Sequence, residues 1–415
     1  LRDLGYKVKL IDCLDRRHPA LESLEHPPDR QNGTGKFIRQ EILKPDLLAD
    51  IPRRYCRYGM PLEIIRKELE KMQIPDVILV TSFMTYWYPA VREMVGLMRE
   101  FFPGIPVLLG GVYATLCPDH ARRVIRPDVL ITGEAEIKAV RKVAQLTGGP
   151  GADYKIRHLD DLPLPFYEGY KNLESIGVQL SRGCPYQCSF CASHRIVQKY
   201  RRKSPDRAIA DLEHWITHKE IRHAAFFDDA LLYKAEELIK PVLHRMVNDE
   251  RFPYLHTPNG LTPGFIDEEM AELFFAARMH TIRISFETSN SKRQREMSKV
   301  TNEQCVRALD HLEGAGYQRR EIGVYVLMGL PEQDEQEVRD SVRFIHDLGA
   351  TVKLASFSPI PGTGETRRAF EMGLWDPDSD LLLTNNTLFP VWKKTVGYEN
   401  CIQLVQWVKH LNSVL

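Results

Sequence analysis

The sequence predicts an α/β protein in two parts. A doubly wound, Rossmann-like N-terminal domain is expected over residues 1–145, and a partial (β/α)6, TIM-like barrel over 176–365, with a short, mostly helical tail over 366–415. Three observations carry this reading. Short apolar runs alternate with amphipathic stretches of helical period. One Gly- and Pro-rich stretch, 146–175, interrupts the alternation and reads as a linker. After it the alternation resumes six times with greater regularity.

The elements follow in order. "YKVKLIDC" (6–13) alternates like a strand, and "PLEIIRKELEKM" (61–72) has helical period. "DVILVTSF" (76–83) is nearly all apolar, as a parallel strand covered on both faces should be. "AVREMVGLMREFF" (90–102) is an amphipathic helix, "PVLLGG" (106–111) a strand ending in a glycine pair, and "DVLITGEAE" (128–136) a strand running into a loop. In such a sheet ligands bind at the carboxyl ends of the strands. Beyond the linker, strands are expected at 177–183, 223–229, 254–260, 281–288, 322–329 and 352–358. Helices between them open on N-cap signals at Ser204-Pro205, Asp267-Glu268 and Thr301. "LVQWVKHLNSVL" closes the chain as an amphipathic helix.

Composition narrows the function. The 415 residues carry 56 Lys plus Arg against 56 Asp plus Glu, so zero formal net charge gives no global attraction to nucleic acid or an anionic membrane. No apolar run reaches the roughly 20 residues that span a bilayer. The opening "LRDLGYKVKLID" is no signal peptide. It reads as a helix end feeding a strand, so the N-terminus is expected to be truncated. Eight cysteines without a secretory signal point to a reducing cytoplasm rather than a disulfide scaffold. Cys13, Cys56, Cys117, Cys305 and Cys401 are scattered and read as packing residues.

The other three form the loop "SRGCPYQCSFCASH", with Cys184, Cys188 and Cys191 spaced C-x3-C-x2-C. Two metal readings are open. His194 would complete a closed Cys3His zinc site. Three thiolates alone would hold a four-iron cluster with one iron left for another ligand. Zinc ligands usually come as two separated pairs. This run is one continuous loop at the carboxyl end of a barrel strand, where chemistry is expected, and both features favour the cluster.

This loop resembles the radical S-adenosylmethionine (SAM) superfamily, whose signature places an aromatic residue, here Phe190, immediately before the third cysteine. The resemblance covers residues 176–369. It implies a [4Fe–4S] cluster on Cys184, Cys188 and Cys191, with SAM chelating the fourth iron. One electron then cleaves SAM to methionine and a 5′-deoxyadenosyl radical that abstracts hydrogen from a substrate. It further implies that Phe190 lies by the adenine, and that Asp228 and Asp229 after the second strand receive the methionine amino group. Ser285 and Glu287 on the fourth strand resemble positions at the SAM ribose or carboxylate. Alternation puts Arg283 on their face, with a self-satisfied Arg283–Glu287 pair as the bland alternative. Gly329 and Glu332 partly match an adenine-contacting pattern, and Asn259 is a weaker inward-facing candidate. Pro361-Gly362-Thr363 is expected to be a structural turn.

The N-terminal part resembles the cobalamin-binding-type domain fused to many of these enzymes. The features are "TSFMTYWYP", "PVLLGGVYAT" and "ITGEAE", although the Asp-x-His-x-x-Gly fingerprint is missing. The resemblance implies cobalamin facing Thr81, Ser82, Tyr86, Gly110, Gly111, Gly133 and Glu134. Methyl transfer to an unactivated carbon is then the leading reaction. Rearrangement or cyclisation without cobalamin is the alternative, and a zinc-stabilised, non-catalytic α/β binding protein is the third reading. The expected partners are a small-molecule or lipid substrate and reduced flavodoxin or ferredoxin as electron donor. The basic run 194–203 reads as a solvated face, with contact to a phosphate-bearing substrate or to such an acidic donor as the alternative. The sequence assigns no residue that moves a proton or hydrogen.

Overall fold

A computed structural model describes residues 1–25, 27–30, 34–247, 249–297 and 300–415. The chain divides into two compact units, one of Leu1–Arg157 with Asp161–Ser175, the other of His158–Asp160 with Ile176–Leu415.

In the first unit, strands Ile78–Ser82, Val107–Gly110 and Val129–Leu130 form a parallel sheet in that order. The central strand is the most apolar, and Val107, Leu108 and Leu109 are fully buried. Helices Tyr88–Phe101 and Glu136–Thr147 follow the first and last strands. Leu108, Ile131 and Val143 form a core on which Leu1, Tyr6 and Val129 pack. Residues 6–13 form no strand, contrary to their alternation. Their polar groups go elsewhere: the Tyr6 hydroxyl donates to the Pro150 carbonyl at 2.8 Å, and the Cys13 carbonyl accepts from Met60 N–H at 2.8 Å. An antiparallel pair, Arg39–Glu41 with Cys56–Tyr58, has no apolar run to announce it.

In the second unit, six strand positions succeed one another as expected. Ser175–Val178, His223–Phe226, Tyr254–His256 and Met279–Thr281 form one hydrogen-bonded series. Arg283–Glu287, Gly323–Met328 and Thr351–Ser356 form a second, parallel throughout. The fourth position is thus one strand broken at Ile282, and a parallel bridge from Leu261 to Ile284 links the two series. Intervening helices carry the expected caps. Ser204 accepts from Arg207 N–H, Asp267 from Met270 N–H, and Thr301 and Gln304 complete a capping box. Phe286 stacks on Phe344 of helix Glu335–Asp347 with 5.5 Å between ring centroids. That stacking turns Phe286 to the helices and leaves Arg283 and Ser285 on the other face of the strand.

The tail is part of this unit. Fully buried Trp392 donates its indole N–H to the Leu330 carbonyl at 3.2 Å. Asn412, on the last helix Tyr398–Ser413, brackets Val352 with two hydrogen bonds of 2.9 and 2.8 Å.

Candidate active site

The three cysteines occupy an irregular loop between Ser181–Arg182 and a short helical turn, Ser193–Ile196. Ser181–Arg182 pairs antiparallel with Arg201–Arg202, so the intervening segment leaves and rejoins the strand end as one excursion. Gly183 makes the exit. Its φ is +81°, and a Cβ there would meet the Lys199 carbonyl oxygen at 2.8 Å. None of the eight cysteines is in a disulfide. Burial pushes the Cys117, Cys305 and Cys401 thiols up to about 12, which suits inert packing residues.

Asp228 anchors the start of the loop. Its carboxylate is 2% exposed and accepts from the Ser181 hydroxyl at 2.6 Å and from the Ser181 and Leu180 amides. Burial pushes its pKa up to about 6, against the pull of those hydrogen bonds. Asp228 is therefore engaged with the protein itself, whereas the sequence placed it on a ligand. Asp229 anchors the loop's end: the Ser193 hydroxyl donates to it at 2.9 Å, and Ser193 N–H donates to Cys191 Sγ at 3.4 Å. Asn259 joins the same group by donating to the Asp228 carbonyl at 3.1 Å. Phe190 is half-buried within the loop.

The fourth strand adds polar groups. Ser285 donates to the Gly260 carbonyl at 3.1 Å. Glu287 is buried with φ +74°, a left-handed conformation that is strained for a residue with a Cβ. Arg283 forms no ion pair with Glu287. Its guanidinium donates to its neighbour's carbonyl, Ile282 O, at 2.9 Å, and burial holds its pKa below the usual arginine value. Gly329 is at φ +94°, and its N–H donates to Gln333 Oε1 at 3.0 Å. Glu332 is exposed and pairs with Arg368 at 3.4 Å. The turn is thus held by buried Gln333, one residue beyond the glutamate that the sequence selected.

Other residues were not legible as site residues. The Ser189 hydroxyl donates to Glu365 Oε1 at 2.7 Å, tying the cysteine loop to the turn after the sixth strand. His223 Nδ1 lies 3.0 Å from His256 Nε2, and His256 Nδ1 lies 2.8 Å from Thr281 Oγ1. Burial pushes the His256 pKa down to about 4, so that ring is neutral. In the basic run, Arg202 pairs with Glu237 and Lys203 with Asp211, while Lys199 is exposed.

The first unit has its own cluster at the carboxyl edge of its sheet. Ser82 bridges to Gly111, whose φ is +90° and whose added Cβ would stand 2.5 Å from Thr81 Oγ1. Thr115 joins two loops, donating to the Gly111 carbonyl at 2.8 Å and accepting from Gly133 N–H at 2.9 Å. Thr81, Ser82, Gly110, Gly111 and Gly133 are brought together in this way. Glu134 follows in the Gly133 loop, and Tyr86 lies in the half-buried turn after the first strand. Ser82 Oγ is buried and has no hydrogen-bond partner among the described residues. His120 is accounted for by packing: it contacts the Tyr113 hydroxyl at 2.7 Å and meets the Tyr88 ring edge-on.

Residues 178–345 match the Radical SAM superfamily, so the chain carries a radical SAM domain and is an enzyme of that chemistry. Such a domain works with a [4Fe–4S] cluster and SAM. Among its relatives some are methyltransferases or methylases by name. Others are named anaerobic magnesium-protoporphyrin IX monomethyl ester cyclases, one of which, from Rubrivivax gelatinosus, is 19% identical over 331 residues, covering 72% of this chain and 59% of that protein. An uncharacterized methyltransferase of Pyrococcus horikoshii is 24% identical over 383 residues, covering 84% of this chain and 77% of that protein. The hopanoid C-3 methylase of Methylococcus capsulatus is 22% identical over 373 residues, covering 80% and 69% respectively. The fold is similar to that of the radical S-adenosylmethionine methyltransferase TsrM from Kitasatospora setae. One TsrM structure gives a TM-score of 0.62 at 16% identity, over 77% of this chain and 70% of that one. A second, with cobalamin and a [4Fe–4S] cluster bound, gives 0.60 at 17% identity, over 74% and 67%.

Proposed function

We propose that the chain is a cobalamin-dependent radical SAM methyltransferase acting on an unactivated carbon of a small molecule or lipid. The observation that carries this is the extent of likeness. Similarity to a named methyltransferase runs over 84% of the chain, well beyond residues 178–345 and into the first unit. A match confined to the radical SAM domain would leave that unit unexplained.

The residues fit the groups this reading needs. Cys184, Cys188 and Cys191 offer three thiols in one loop. Among the described residues no three His, Cys, Asp or Glu side chains converge on a point that a single metal ion would fill. A four-iron cluster takes one thiolate at each of several irons, so it does not ask for such convergence. In the first unit the unpartnered Ser82 Oγ, at the edge where α/β sheets bind ligands, is a donor or acceptor left for cobalamin. When bound, the cluster with SAM supplies one-electron chemistry and cobalamin supplies the methyl group.

The chain's own residues set the stage. Asp228 fixes the entry to the cysteine loop and Asp229, through Ser193, its exit. The Ser193 N–H points at the Cys191 sulfur and fixes where it sits in the loop. Arg283, without a carboxylate partner among the described residues, is available to an anionic group of SAM or substrate. Reduced flavodoxin or ferredoxin supplies the electron.

The test is anaerobic reconstitution with iron, sulfide and hydroxocobalamin, followed by desalting. Retained cobalamin, visible iron–sulfur absorption lost in Cys188→Ala, and S-adenosylhomocysteine formation together support the proposal. SAM cleavage to 5′-deoxyadenosine with no cobalamin retained would replace it with rearrangement or cyclisation.

A further inference from the structure

We infer that Glu365 is a positioning residue that latches the cysteine loop to the turn after the sixth strand; the inference rests on the radical SAM reading of that loop. Ser189 lies between the second and third cysteines. Its hydroxyl donates to Glu365 Oε1 at 2.7 Å, and the Glu365 N–H donates back to the Ser189 carbonyl at 3.0 Å. Two residues 176 positions apart are thus joined by a reciprocal pair of hydrogen bonds. The surrounding turn is shaped for the approach. A Cβ on Gly364 would stand 3.3 Å from the Ser189 backbone, so the glycine lets the two segments touch. Arg195, just past the loop, donates to the Gly362 carbonyl at 3.2 Å. Thr363 caps the helix Gly364–Glu371 that carries the glutamate.

The glutamate itself is unusual. It is 2% exposed, and its second oxygen, Oε2, is buried without a hydrogen-bond partner among the described residues. Arg368 reaches only the first oxygen, at 3.3 Å. A buried carboxylate oxygen left unsatisfied opposes folding. A side chain placed here for stability alone would carry no such oxygen, so the carboxylate is accounted for by what it holds. Ser189 is flanked by ligand positions, and supports of this kind fix the orientation of metal ligands. Asp228 holds the start of the loop and Asp229, through Ser193, its end, while the latch holds the stretch between Cys188 and Cys191.

The test compares wild type, Glu365→Ala, Ser189→Ala, the double variant and Glu365→Gln, each reconstituted anaerobically. Two signals are read: the rate of iron release to a chelator, and the electron paramagnetic resonance line shape of the reduced cluster before and after adding SAM. The expected result is about tenfold faster iron release in Glu365→Ala. Ser189→Ala should match it, and the double variant should be no faster than either single one. Glu365→Gln, whose amide oxygen still accepts from Ser189, should restore both the rate and the wild-type line shape. Iron release in Glu365→Ala at the wild-type rate, or additive effects in the double variant, would overturn the latch while leaving the cluster in place. A wild-type chain that takes up no iron would overturn the radical SAM reading, and the latch with it.

Discussion

Asp228 shows how one side chain can have two readings. In sequence it is an acidic residue at a strand end, available to an ammonium group. In the fold its oxygens face the Leu180 and Ser181 amides and the Ser181 hydroxyl. Burial raises its pKa from the ordinary 3.8 to about 6, so the folded chain keeps a proton that the unfolded chain has already lost. Its contribution is therefore fully present below about pH 4 and is lost as pH rises through about 6. Urea denaturation of wild type and Asp228→Asn should show the wild-type advantage shrinking on the order of 2 kcal/mol between pH 4.5 and 7. A difference that stays constant would mean the hydrogen bonds hold the carboxylate ionised throughout. Arg283 makes the opposite case. A half-buried cation without a carboxylate partner among the described residues costs stability, so Arg283→Met should leave the melting temperature unchanged or raised while weakening SAM binding measured by calorimetry.

At the scale of elements, the parallel strands were readable because a doubly covered strand is apolar nearly throughout, as at Val107–Leu109. Residues 6–13 misled because alternation reports a half-buried segment and does not say whether a neighbouring strand will pair with it. The cysteine loop was readable from its spacing within ten residues. Its supports were not, because Ser189 and Glu365, or Ser181 and Asp228, are brought together only by the order of the strands. Glycines divide in the same way. Gly104 and Gly111 both have positive φ, but a Cβ meets nothing at Gly104 and meets Thr81 and Ser82 within 3.0 Å at Gly111. Gly104→Ala should cost about 1 kcal/mol, and Gly111→Ala at least about 2 kcal/mol with loss of any ligand held at that edge. The sixth strand ends its sheet, and Asn412 stands where a seventh would pair, meeting both the N–H and the carbonyl of Val352. Asn412→Ala should cost about 1–2 kcal/mol in thermal unfolding and increase self-association by light scattering, since it reopens a strand edge.

At the scale of the whole molecule, the proposal assigns each compact unit its own ligand, and that division has a thermodynamic consequence. A ligand that binds only the folded form stabilises by an amount set by its concentration relative to its dissociation constant, about 2.7 kcal/mol at a hundredfold excess. Amide hydrogen exchange reads that stabilisation segment by segment. Iron and sulfide should slow exchange at Leu180–Ser193 and at Gly364–Glu371, the segments that meet through Ser189 and Glu365. Hydroxocobalamin should slow exchange at Ile78–Ser82 and at Gly110–Leu116, the strand ends joined at Gly111. A protective effect of cobalamin confined to the second unit, or none, would remove the first unit from the cofactor's site. The similarity of that unit to methyltransferases would then concern its fold and not its chemistry. With zero formal net charge, neither response should depend on general electrostatic attraction of these ligands to the surface, so raising salt should leave both patterns in place.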